Sequence, residues 1–156
     1  MVKPTLIQAQ SAADIAAVKS LFLEYLQFVQ DYLGQDLAFQ GTDVEFATFP
    51  DIYDALFLAK LNGQPAGAAA VKPFKGKICE LKRLYCRPNA RGLGLGQALT
   101  EHCISAARNL GYTKMYLDTD PGLIHANSIY ERLGFTDIVR YYDNPLGDSR
   151  YMELDL

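Results

Sequence analysis

ELKRLYCRPNARGLGLGQAL (residues 80–99) joins the end of an apolar strand pattern to the start of an amphipathic helix. The strand pattern covers 77–86 (KICELKRLYC). The helix covers about 94–110, with Leu95, Leu99, Cys103, Ala106 and Leu110 as its apolar stripe and Gly111 as its terminator. Between them stands Arg91-Gly92-Leu93-Gly94-Leu95-Gly96. A helix N-terminus presents unpaired N–H groups and a partial positive charge of about half a unit. Glycine allows close backbone approach and positive φ. Together these features predict a diphosphate cradle with Arg91 as a charge-assisted donor. The plainer alternative is a turn that needs glycines for its shape alone.

Two other phosphate motifs fail on spacing. A dinucleotide fingerprint needs glycine where Gln97 stands, and it begins at the strand end, whereas residues 87–91 intervene here. Asp118, at the end of the next strand pattern, mimics a ribose-binding acid. The unit comes too late in the chain, however, for a six-stranded parallel sheet to follow. A nicotinamide-dependent enzyme is thereby disfavoured. An ATP-type loop needs Gly-Lys-Ser/Thr, which the sequence lacks.

Outward from this segment, the pattern predicts a short strand over 4–9 and a helix capped by Ser11. That helix carries Ile15, Val18, Phe22, Tyr25, Leu26, Val29 and Leu33 and ends at Gly34. Residues 35–54 lack a clean period and read as a loop with one helical turn. Strands over 55–61 and 65–74 flank Asn62-Gly63, a hairpin signal, and Lys75-Gly76 turns into 77–86. In that last strand Leu81 and Leu84 are both apolar yet an odd number of residues apart. A β-bulge near 82–84 would absorb the slip. A strand over 113–118, a helix over 123–133 and closing strands over 135–140 and 150–155 complete an α+β layout. It is a mostly antiparallel sheet with one strand–helix–strand unit, a single domain over 1–156.

Composition narrows the function. The chain has 156 residues, 49% apolar and 21% charged, enough for a packed core. A net charge of −3 argues against a general grip on nucleic acid; the local basic group Lys82, Arg83, Arg87 and Arg91 sits at the proposed cradle. No run approaches a membrane span, and the opening MVKPTLIQAQSAAD lacks a leader pattern. The cysteines, Cys79, Cys86 and Cys103, lie inside apolar patterns and read as free thiols of a cytoplasmic protein. No histidine–carboxylate set has metal-ligand spacing, so no metal is expected.

ELKRLYCRPNARGLGLGQAL, followed by ANSIYERLGF (126–135), resembles the GNAT superfamily of GCN5-related N-acetyltransferases. Arg91-x-x-Gly94-x-Gly96 is similar to that family's pyrophosphate signature. Asn127-x-x-Tyr130 with Leu133-Gly134-Phe135 is similar to its second coenzyme-contacting helix and the following strand. The match covers roughly residues 65 to 141. The resemblance implies a three-layer fold: a mixed, mostly antiparallel twisted sheet of six to seven strands, helices on both faces, and central strands splayed at the coenzyme site. It implies acetyl-coenzyme A as cosubstrate, bound by Leu84, Tyr85, Cys86, Arg91, Gly92, Leu93, Gly94, Leu95, Gly96, Gln97, Asn127 and Tyr130. It further implies direct acetyl transfer to a primary amine of a small molecule or peptide.

The chemistry needs a proton acceptor, because an alkylammonium has a pKa near 10.4 in water. Glu80 matches the base of the histone-modifying branch, while a strand-face glutamate paired with Lys82 or Arg83 is the plainer account. Tyr130 matches the family's general acid for the departing thiolate; otherwise it is a core tyrosine. Cys86 as a ping-pong nucleophile, His125 as a base and His102 are weaker candidates. Tyr25, Phe39, Gln40, Phe46 and Tyr53 are candidates for the acceptor pocket, with 141–145 closing over it and Asp143 available to a cationic acceptor. A coenzyme-binding sensor without catalysis is the alternative on the same fold. Open sheet edges suggest a homodimer.

Overall fold

The computed structural model describes residues 3–34, 42–144 and 146–156. Asn62 (φ 51) and Gly63 (φ 82) are both left-handed, as a type I′ turn requires, and they fold β2 (Ala55–Leu61) onto β3 (Gln64–Lys75). A turn with Gly76 at φ 55 then leads into β4 (Ile78–Cys86). With β1 (Pro4–Gln8), β5 (Lys114–Thr119), β6 (Thr136–Ile138) and β7 (Arg150–Asp155), these form one seven-stranded sheet in the order β1-β2-β3-β4-β5-β7-β6. Every pairing is antiparallel except β4–β5, which is bridged by α3 (Leu95–Asn109).

Helices cover both faces. On one face α3 and α4 (Ile124–Arg132) bury Leu99, Cys103 and Ile129 against Leu81, Met115 and Leu117. On the other, α1 (Ala12–Leu33) buries Val18, Leu21 and Phe22 against Leu56, Leu58, Ala68 and Ala70. Burial of each large side chain contributes about 1.5–3 kcal/mol. The run Ala55–Ala59 is apolar without alternation because both of its faces are covered. Ser11 caps α1 by accepting from the Asp14 amide at 3.1 Å, and Gly34 ends the helix at φ 66. Within 35–54 the chain forms α2 (Thr42–Ala47), the expected helical turn.

Three boundaries depart from expectation. The α3 stripe continues through Ile104 and Ala107 and the helix ends at Asn109, so that Leu110, its C-cap, is left 54% exposed at the helix end. The strand expected over 135–140 is shorter, pairing only over Thr136–Ile138 with Glu153 to Tyr151 of β7. Phe39 and Gln40 lie outside the described residues. No described helix is long and apolar enough to cross a membrane.

The feature that positions the site is in β4. Arg83 adopts φ 61, and the β3–β4 register shifts between Ala68 and Ala70, so β4 carries one extra residue there. That bulge lets Leu81 and Leu84 pack toward the same core. Beside it the sheet opens. β4 pairs with β5 only through Ile78, Cys79 and Glu80, while Leu117 to Thr119 pair with β7 alone. The edge of β4 from Leu81 to Cys86 therefore faces a notch, among the described residues, instead of a strand.

Candidate active site

The notch opens into a cleft of about 600 Å³, a volume suited to a cofactor. One wall is the freed edge of β4, with Leu84, Tyr85 and Cys86. The floor is the start of α3, where Arg91, Gly92, Gly94, Leu95, Gly96 and Gln97 line the space. The far wall is α4, from which Tyr130 and His125 face inward. Leu93, 46% exposed, stands outside the cleft.

The glycines have separable reasons. Gly94 caps α3 at φ 77 and Gly92 sits at φ 81, conformations that strain any side chain. A β-carbon at either would meet nothing within 4 Å, so the space before the helix start is open to a ligand. At Gly96 a β-carbon would come within 3.0 Å of Ile129 Cδ1; this glycine lets α3 and α4 approach. Arg91 stands at the rim. Its Nε donates to the Cys86 carbonyl at 3.2 Å, and its guanidinium lies 5.5 Å from the Phe28 ring centroid.

Asn127 sits behind the α4 wall, 5% exposed. Its Nδ2 donates to the carbonyls of Asp120 (3.0 Å) and Pro121 (3.3 Å), ordering the loop into α4. Its Oδ1 is buried without a hydrogen-bond partner among the described residues, an acceptor that calls for a donor. Tyr130 is 7% exposed and packs edge-to-face on Phe135 at 5.8 Å. Burial pushes its phenol far above the ordinary value, so the group stays protonated. Burial likewise raises the Cys86 thiol to about 11, which leaves it a poor nucleophile at neutral pH.

A smaller hollow of about 50 Å³ shares Tyr25, Arg83, Asp118, Thr119 and Leu123 with the cleft, on the α1 side of the sheet. Charged groups cross the sheet here. Asp118 Oδ1 lies 3.7 Å from Lys82 Nζ, Lys82 Nζ lies 3.9 Å from Glu80 Oε2, and Glu80 Oε1 lies 3.6 Å from Lys72 Nζ. Two neighbouring tyrosines close over the carboxylates. Tyr141 donates to Glu80 and Tyr142 to Asp118, each at 2.7 Å. Asp118 lines the cleft; Glu80, with a side chain 5% exposed, does not.

Of the acceptor-pocket candidates, Tyr25 lines both spaces, whereas Phe46 and Tyr53 pack on Phe49 within the α1-side core. Asp143 is exposed. His102 is exposed on α3, with Nδ1 2.8 Å from the Ala98 carbonyl and its ring 5.7 Å from Phe57 at the edge of the sheet core. Sequence reasoning missed Glu45, which pairs with Arg83 Nη2 at 2.8 Å and accepts from the Tyr53 hydroxyl. An apolar setting built by a six-residue helix leaves no period to read.

Residues 19–135 match the protein-family profile described as the Acetyltransferase (GNAT) family. The chain belongs to that family. An uncharacterized N-acetyltransferase of Schizosaccharomyces pombe is 37% identical over 100% of this chain and 99% of its own length. An uncharacterized N-acetyltransferase of Escherichia coli is 29% identical, over 79% of this chain and 73% of its own. The fold matches an acetyltransferase from Streptococcus agalactiae (TM-score 0.78, 22% identity, 98% of each chain). It also matches the ribosomal-protein-alanine N-acetyltransferase of Brucella melitensis (TM-score 0.71, 23% identity, 97% of this chain and 99% of that one). The bulged β4, the open strand edge and the glycine-bordered helix all lie within the residues that match the family.

Proposed function

We propose that this chain transfers an acetyl group from acetyl-coenzyme A directly to a primary amine of a small molecule or peptide. The observation that carries the reading is the open space before Gly92 and Gly94, beside a strand edge that lacks its partner. The α3 amides and Arg91 would hold the diphosphate. The backbone of Leu84 to Cys86 would pair with the pantetheine arm as an added strand would, and Leu93 would border the phosphate from outside. The orphaned Asn127 Oδ1 offers an acceptor to an amide N–H of that arm. The coenzyme supplies an activated acyl thioester; the protein orients it, excludes water and moves protons.

Tyr130, a protonated phenol in the cleft, gives its proton to the departing sulfur. The amine approaches through the smaller hollow and gives up its proton to a carboxylate. Glu80 has that role by resemblance, and Asp118 has the position facing the cleft. A cytoplasmic location and a homodimer through an open edge, β1 or β6, complete the proposal; size-exclusion chromatography tests the latter.

A thermal-shift screen with acetyl-coenzyme A, followed by thiol release with amino acids, polyamines, aminoglycosides and peptides, tests the whole. Stabilisation by coenzyme with thiol release on one amine class is the expected result. Tight coenzyme binding without turnover of any amine would instead favour a non-catalytic sensor.

A further inference from the structure

We propose that Tyr142 is a positioning residue for acyl transfer, holding the Asp118 carboxylate in the notch and turned toward the amine that must lose its proton. The inference rests on the function proposed above. It comes from a chain of hydrogen bonds whose direction is fixed at its far end. The Leu146 amide donates to Asn144 Oδ1 at 2.9 Å. A backbone N–H can only donate, so Oδ1 faces Leu146 and Nδ2 faces the other way. Asn144 Nδ2 then donates to the Tyr142 hydroxyl at 2.9 Å and to Ser149 Oγ at 3.0 Å. With its oxygen accepting from Asn144, the Tyr142 hydroxyl commits its one hydrogen to Asp118 Oδ2.

The surroundings support the direction. Burial, and then the charge of Asp118, raise the Tyr142 phenol far above its ordinary value, so it stays a donor. Asn144 is 3% exposed, which keeps water from replacing it. The other Asp118 oxygen, at 3.7 Å from Lys82 Nζ, has a charge neighbour too distant for a hydrogen bond. Lys82 is shared with Glu80, which Tyr141 holds from the same loop. The segment between β6 and β7 therefore sets the aim of both carboxylates through adjacent side chains.

Tyr142→Phe tests the proposal while keeping the ring contacts to Tyr141 (5.4 Å) and Tyr151 (5.9 Å). Two measurements read it. With an alkylamine acceptor, kcat should fall about tenfold with the KM for acetyl-coenzyme A unchanged, because one hydrogen bond to a charged group is lost. With an alkoxyamine, already neutral at pH 7, kcat should change little, since no proton need leave before attack. A purely structural role would lower both alike, and that equal loss overturns the proposal. The second measurement is a crystal structure of the variant without coenzyme. Asp118 should swing from the notch or spread over several rotamers; a carboxylate that keeps its place overturns the proposal too. Should the wild-type protein acetylate no amine, the activity reading fails, and the crystal structure still decides whether Tyr142 aims Asp118.

Discussion

Gly67 of β3 lies so close to Tyr85 of β4 that a β-carbon at 67 would stand 2.9 Å from the Tyr85 carbonyl oxygen and 3.2 Å from Leu99 Cδ1. The oxygen belongs to backbone and cannot turn aside. Gly67→Ala should therefore force β4 away from β3 at the segment that borders the notch. Overpacking of this kind costs about 1–3 kcal/mol. Urea unfolding of the variant should show that loss, together with a weaker acetyl-coenzyme A thermal shift. A variant as stable as wild type would mean that the strands part here without cost.

Gly94→Val separates the cradle from the fold. The left-handed φ of 77 disfavours a branched side chain, and the added atoms would project into open space before the α3 amides. A ligand at 100 times its dissociation constant adds about 2.7 kcal/mol of stability. Wild type should show this thermal shift with acetyl-coenzyme A, and Gly94→Val should show none. Undiminished affinity in the variant would contradict the cradle.

How far the sequence reached can be judged at particular residues. Leu81 and Leu84 disclosed the bulge because side-chain alternation is rigid: two apolar neighbours out of phase demand an extra residue, and Arg83 supplies it at φ 61. Gly92 and Gly94 disclosed the open helix start because only unusual backbone needs them. The acceptor side was much less legible. Asp118 resembled a ribose-binding acid while it was known only as a strand-end carboxylate. Its partner Tyr142 is 24 residues away, and no local period links them. The Glu45–Arg83 pair spans 38 residues, with α2 too short to mark a face. Long-range polar pairing leaves no trace in hydrophobic periodicity.

Glu45 is nevertheless a consequential residue for stability. Its side chain is 3% exposed and that of Arg83 6%, so the pair is buried between α2 and the bulge. Glu45→Ala removes the carboxylate that balances a buried guanidinium, and a change of this type costs about 3–5 kcal/mol. The denaturation midpoint should fall accordingly. Glu45→Gln, which keeps a hydrogen-bond acceptor but not the charge, should fall between the variant and wild type. Unaltered midpoints in both would show that the pair contributes little.

Cys86 reports on cleft occupancy. It lines the cleft, whereas Cys79 and Cys103 are fully buried in the folded chain. With its thiol raised to about 11, labelling by iodoacetamide should be slow at pH 7 and rise about tenfold per pH unit until near that value. Saturating acetyl-coenzyme A should suppress it. Rapid labelling at neutral pH, or labelling indifferent to the coenzyme, would place the thiol elsewhere than the cleft wall.

Glu80→Gln and Asp118→Asn weigh two accounts of the proton acceptor. If Asp118 meets the amine, Asp118→Asn removes the base itself, and general-base catalysis is worth about 10²–10⁴-fold. Glu80→Gln would then act only through Lys82 and Tyr141, leaving most of kcat/KM intact. If Glu80 is the base, the order of the two losses reverses. The cleft position of Asp118 favours the first order. Alkylamine kinetics near pH 7 on both variants should show the larger loss in Asp118→Asn. The neutral alkoxyamine should narrow the difference, because an acceptor that brings no proton gives neither carboxylate anything to remove.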